Sequence, residues 1–228
     1  MTADAQRIFG ATTVEARTPL PGDGLVADPL LQITHAITID AAPERIWSWL
    51  TQIGQGRAGF YSDSRLWDAA VSFYYRLLSR EAGRNPVSYQ HQEPEHGLPI
   101  PRPLKAGDAI ADGPPGTAYY SVREVEPNRT LVLFTDTHLP YLLPSNLRSH
   151  VSGILSDAFV LLPMENGQTR FLRRMRLRCE PPVFRALALP VVLLWGEAIT
   201  ARRFLRGLKR RAERPSVHDT TVVGTRHA

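Results

Sequence analysis

The stretch Leu31-Gln32-Ile33-Thr34-His35-Ala36-Ile37-Thr38-Ile39 alternates without a break and puts Leu31, Ile33, His35, Ile37 and Ile39 on one face. A period of two is the mark of a strand with one buried side. Directly after it, Asp40-Ala41-Ala42-Pro43-Glu44 reads as a turn into a helix. Pro43 falls at an early helical position, where its missing N–H is no loss. Ile46, Trp49, Leu50 and Ile53 then recur at helical spacing as one apolar face, and Gly54 is placed to end the helix.

Downstream, Leu66, Ala69, Ala70, Phe73, Leu77 and Leu78 share one side of an expected second helix over 65–81. Residues 85–103 are rich in proline and allow only a short strand near Val87 to His91. A run of strands follows. A short one covers 108–111. Residues 118–125 pair with 130–137 across Glu126-Pro127-Asn128-Arg129. A loop spans 139–153, and 155–162 pairs with 169–180 across Met164-Glu165-Asn166-Gly167. The Asn-Gly step is a strong hairpin signal. Residues 182–213 read as helix, kinked or interrupted at Pro190.

Upstream, residues 1–29 hold Pro19, Pro21, Gly22, Gly24 and Pro29 with no sustained periodicity, so an extended or disordered arm is expected there. The polar stretch 214–228 reads as a disordered tail. The order of elements points to one α+β layer domain over 30–213.

A chain of 228 residues buries a sizeable core without disulfides or metal. The single Cys179 cannot form an internal disulfide, which favours a reducing interior. The N-terminus lacks the apolar core of a secretory signal, and no run reaches the roughly 18 apolar residues of a membrane span. A cytoplasmic location is expected. The net charge of +5 is concentrated in Arg202 to Arg214. Arginine strongly outnumbers lysine, with only Lys105 and Lys209 present. Codon bias accounts for that preference; a nucleic-acid or anionic-membrane footprint is the sharper reading. We expect no nucleic-acid partner and allow a weak membrane-surface contact through Arg202–Arg214.

The local sequence adds to this. Ala36 to Trp47, the loop Gly54-Gln55-Gly56-Arg57-Ala58-Gly59-Phe60-Tyr61-Ser62, the segment Val125 to Leu133 and the closing Leu205 to Glu213 together resemble the polyketide cyclase / START-like (SRPBCC) superfamily. The resemblance covers roughly residues 20 to 213 and implies a helix-grip fold. That is a curved antiparallel sheet of about six or seven strands wrapped around a long C-terminal helix. It does not fix an activity, because the superfamily holds lipid carriers, cyclases and hormone receptors.

Gly54 to Gly59 matches G-x-G-x-x-G, but a dinucleotide fingerprint needs a strand before it, and here a helix precedes. His91 and His96 are five apart with Pro94 between them, which is poor zinc spacing. No serine sits in a nucleophile elbow. No metal and no cofactor are expected.

Asp108, Asp112, Asp136, His138 and Asp157 are acids and a base that could meet in space. His138 is the nominated acid or base if the chain is a cyclase or dehydratase. Trp49, Phe60, Tyr61, Trp67, Phe73, Tyr120, Phe134, Phe159 and Trp195 are the aromatics available either to line an apolar cavity or to fill the core. Phe171, Arg173, Met175, Leu177 and Cys179 alternate onto one face, so Arg173 points inward and needs an anionic partner from the protein or from a ligand. A bulge would put Arg174 there instead. Ala201, Phe204, Leu205, Leu208 and Ala212 form the apolar side of the closing helix.

The reading is a binding or carrier protein for a small hydrophobic molecule such as a lipid, polyketide or isoprenoid. The ligand would meet Trp49, Phe60, Tyr61, Trp67, Tyr120, Phe134, Phe159, Arg173 and Trp195. The alternatives are a cyclase or dehydratase in the same cavity, and a protein that docks through its basic helix.

Overall fold

The computed structural model describes residues 5–54, 59, 72–73, 76, 103–113, 117–138, 148–181 and 200–214. The elements are β1 (Ala5–Phe9), α1 (Thr13–Arg17), a 3-10 turn (Asp23–Leu25), β2 (Leu31–Ile39), α2 (Pro43–Leu50), β3 (Ala109–Ala111), β4 (Tyr119–Glu126), β5 (Thr130–Thr135), β6 (Ser152–Pro163), β7 (Thr169–Glu180) and α3 (Arg202–Glu213). They build one seven-stranded sheet in the order β1-β2-β7-β6-β5-β4-β3. Six strands, β2 through β7, pair antiparallel throughout. The fold is the expected α+β arrangement, a curved antiparallel sheet with the C-terminal helix against its concave face.

The alternation of residues 31–39 becomes β2 with the expected bounds. Gly167 takes a left-handed φ of +79° between β6 and β7, and Asn128 a φ of +63° between β4 and β5. Glycine and asparagine tolerate that region better than other residues. The β6–β7 register runs unbroken from Ser152↔Glu180 to Pro163↔Thr169. No bulge shifts β7, so Arg173 faces inward and Arg174 outward. The one bulge in these ladders lies at Val122/Glu124 in β4.

Inside, Ile39, Ile46, Leu50, Ile53, Leu131, Leu133, Phe159 and Phe171 pack with Phe204, Leu205, Leu208 and Ala212 of α3. Burying each of the isoleucines, leucines and phenylalanines contributes roughly 1.5–3 kcal/mol. The apolar side expected for the closing helix is therefore the side that meets the sheet. Lys209 fixes its far end by donating to the Thr38 carbonyl at 2.6 Å and pairing with Glu213 at 2.9 Å, while Glu213 accepts the Asp40 N–H at 2.7 Å. Burial pushes the Glu213 carboxyl up, but the Asp40 N–H and the Lys209 ammonium outweigh it and hold the group below its ordinary value.

Two expectations are corrected. Residues 5–29 are not an irregular arm. β1 joins the edge of the sheet parallel to β2, with Phe9 beside His35. Parallel neighbours need a crossover of a dozen or more residues, and residues 10–30 supply it across the convex face. The crossover holds α1, whose Thr12 and Glu15 form a reciprocal capping box. Its pieces are too short to show periodicity. Gly10 (φ +69°) lies so close to the Ala36 carbonyl that a Cβ would stand 2.4 Å from the oxygen. Second, Phe73, expected on a buried helix face, is 72% exposed. The rest of that helix, the 85–102 region and residues 182–199 lie outside the described residues, apart from 72 and 76.

Candidate functional site

The concave face carries an ion pair on its two long strands. Arg173 of β7 and Asp157 of β6 sit diagonally across a strand pair, because Asp157 is opposite Met175 and Phe159 is opposite Arg173. Diagonal neighbours on one face are within reach of long side chains. The Arg173 Nε donates to both Asp157 oxygens at 2.8 and 3.0 Å, and one Nη donates to Oδ2 at 2.6 Å. The two side chains keep only 13% and 5% of their surface accessible. The guanidinium carbon lies 5.9 Å from the Phe159 ring centre and 5.8 Å from that of Phe204. Both are within the range of cation–π attraction. The inward arginine therefore has a protein carboxylate as its partner.

His35 of β2 is directly opposite Arg173 on the other side. Phe9 stacks on the His35 ring at 5.0 Å, and Arg202 from the first turn of α3 lies 5.0 Å above Phe9. Beyond this polar row the concave face is apolar again, with Leu31, Ile33, Leu155, Met175, Leu177 and Cys179 adjoined by Tyr120.

A second polar group lies on the β5 side. His138 follows the end of β5. Its Nε2 is 2.7 Å from Asp112 Oδ2, just past β3, and its Nδ1 is 2.7 Å from Thr135 Oγ1. A carboxylate accepts, so the Nε2 facing Asp112 carries a proton, and Nδ1 exchanges a hydrogen bond with the Thr135 hydroxyl, which also meets Thr137 Oγ1 at 3.0 Å. The Tyr120 ring is 4.4 Å from the imidazole. Thr135 is opposite Leu155, one pleat from Asp157. The two polar groups thus stand on neighbouring strands of the same face. Of the acids named from sequence, Asp112 and Asp157 join them, whereas Asp108 accepts the Lys105 N–H in a local turn.

Tyr120, Phe159 and Arg173 lie on the concave face. Trp49 is half-buried against the core from α2. Phe134 does not join them. It points to the convex face with Val132, and Arg123 covers its ring at 4.7 Å. The sequence showed an aromatic in a buried strand but not which side of it faced the helix. Phe60, Tyr61, Trp67 and Trp195 lie outside the described residues. Gly54 and Gly59 form an antiparallel bridge after α2, and the residues of the G-x-G-x-x-G stretch between them lie outside the described residues. His35, Phe9 and Phe204 at the site were not singled out for it from sequence. Among the described residues no group of histidine, cysteine and acids has metal-binding geometry, and no helix is long and apolar enough to cross a membrane. The outward face of α3 carries a shallow groove lined by Arg206, Lys209, Arg210, Glu213 and Arg214.

No family model matches the chain, and no curated protein matches it. Solved structures similar to it include a hypothetical protein from Helicobacter pylori. It is 15% identical, over 89% of this chain and 99% of that one, with a TM-score of 0.46. A protein from Arthrobacter aurescens is 13% identical over 86% of this chain and 92% of its own, with a TM-score of 0.43. One from Mesorhizobium loti is 18% identical over 81% and 99%, with a TM-score of 0.35. These likenesses are too distant to carry a ligand or an activity across.

Proposed function

We propose that the chain is a cytoplasmic member of the polyketide cyclase / START-like superfamily that binds a small, mainly apolar molecule on its concave face. Residues 30–213 form the binding domain. The observation that carries this reading is the Arg173–Asp157 pair, set between Phe159, Phe204 and the apolar end of the sheet. Small-molecule sites are largely apolar with a few placed polar groups. Such a pair gains little over an apolar pair of similar volume as a stabiliser, so recognition is the better account of its place. Native mass spectrometry of the purified protein, followed by a fluorescence-displacement panel of lipids, polyketides and isoprenoids, tests it. Binding weakened by R173M in a folded chain supports the reading. A protein that carries nothing and binds nothing in the panel rejects it.

The Asp112–His138–Thr135 chain favours a second reading, proton transfer on the same bound molecule. Asp112 would orient the imidazole and stabilise its charged form, as a carboxylate beside a catalytic histidine does. H138Q would then leave binding intact and abolish turnover of a polyketide-like substrate. Absence of turnover by the wild-type chain removes this reading and leaves the first.

A further inference from the structure

We infer that the concave site selects neutral ligands over acids, and that Asp157 is the residue that sets this choice. The inference rests on the binding reading above and deepens it to a ligand class: an apolar molecule carrying a hydroxyl or carbonyl group.

The argument is one of charge. Both oxygens of Asp157 are already taken by the Arg173 guanidinium. The pair as a whole is neutral, and it sits where little water reaches it. A ligand carboxylate approaching Arg173 would share that guanidinium with Asp157. Two anions would then stand side by side in a poorly screened place, which is unfavourable for both. A ligand cation would compete with Arg173 for Asp157 and crowd the guanidinium. A hydroxyl or carbonyl adds no charge and can hydrogen-bond to the edge of the pair.

Phe159 and Phe204 cover the guanidinium without contributing charge. The Arg202 guanidinium lies 5.0 Å over the Phe9 ring. Arg211 is buried seven residues beyond Phe204 along α3, about 10 Å away along the axis at 1.5 Å per residue. With Asp157 in place, the Arg173 guanidinium is already neutralised and offers little to attract an acid. Without it, Arg173 becomes an uncompensated cation.

Two matched pairs test the idea: a long-chain alcohol with the fatty acid of equal length, and a naphthyl carbinol with the corresponding naphthoic acid. Titration calorimetry is run at a pH where the acids are ionised. The wild-type chain should bind the neutral member of a pair at least about tenfold more tightly. D157N, nearly isosteric, should reverse the order. Wild-type binding of an acid as tightly as its neutral partner overturns the inference while leaving the binding reading intact. An unchanged order in a folded D157N removes Asp157 from the role. If no member of either pair binds although the displacement panel finds other ligands, this inference falls alone; if the panel finds nothing either, the binding reading falls and takes this inference with it. Circular dichroism checks that D157N folds; if it does not, the wild-type order decides alone.

Discussion

Arg173 and Arg174 are adjacent in the chain and bond to opposite sides of the sheet. Arg173 meets Asp157 on the concave face, and Arg174 meets Asp23 at 2.8 Å beneath the crossover on the convex face. An unbulged strand sends consecutive side chains to opposite faces, and β7 turns that rule into two separate jobs. Arg173 supplies a polar point in the candidate site. Arg174 clamps the N-terminal segment down.

The clamp uses the whole guanidinium. Arg174 makes five bonds: to Thr34 Oγ1, the carbonyls of Glu15, Ala16 and Thr18, and the Asp23 carboxylate. An arginine has five N–H donors, so each is matched. A lysine has three and no planar fork. R174K should therefore cost about 3 kcal/mol, because a partly buried carboxylate and several carbonyls lose donors around a buried cation. Chemical denaturation measures this. A loss below about 1 kcal/mol would mean that the crossover is not held in this way.

Glu15 gives the clamp a pH dependence. Its carboxylate takes two bonds from Arg170, at 2.7 and 2.9 Å. The Arg170 guanidinium is the main reason its pKa is lowered from 4.5 to about 2; burial opposes, and the capping bonds from Thr12 assist. A carboxylate with a depressed folded pKa stabilises fully above its unfolded value, and the gain fades as pH falls through the folded one. The contribution is then whole above about pH 4.5 and gone near pH 2. With both partners partly exposed, it is on the order of 2 kcal/mol at neutral pH. E15Q should lose that stability at pH 7 and differ little from wild type near pH 2. Denaturation curves at several pH values check it. Equal loss at both ends would assign the effect to packing instead.

His138 separates the two functional readings from stability. Its imidazole ties the end of β3, through Asp112, to Thr135 at the end of β5. Both side chains are partly exposed, 19% for His138 and 28% for Asp112. Removing such a pair costs only about 1 kcal/mol. H138Q should therefore fold, and under the carrier reading its affinity for apolar ligands should stay within about threefold of wild type. A larger loss of affinity places His138 in contact with the ligand.

Much of this was legible in the sequence, and the boundary is physical. Strand β2, the two late hairpins and the apolar side of α3 follow from periodicity, because each repeats its pattern over several residues. Inward-facing Arg173 follows from the same alternation. Its partner was within reach too: counting back from the Asn166-Gly167 turn puts Asp157 diagonal to Arg173 on the same face. Phe134 could not be assigned this way, since β5 is buried on both sides and alternation has no contrast to show. Nor could the crossover. Its order comes from arginines on β7 that look, in sequence, like the polar half of a strand with one solvent face.

The tightest point of that crossover offers a test that no charge change confounds. Gly10 follows β1 with φ at +69°, and its α-carbon faces the Ala36 carbonyl so closely that a methyl group would stand 2.4 Å from the oxygen. Alanine there suffers twice, from the left-handed backbone and from the collision. The carbonyl belongs to a central pairing strand and has little freedom to move. G10A should cost about 2 kcal/mol or more. The damage should also be local. β1 would peel from the edge and carry Phe9 off His35, while the antiparallel strands β2 to β7 keep their register. Hydrogen exchange reads this directly, with protection lost over 5–25 and kept over 152–180. Uniform loss across the sheet would show that the parallel edge strand is part of the cooperative core and not an addition to it.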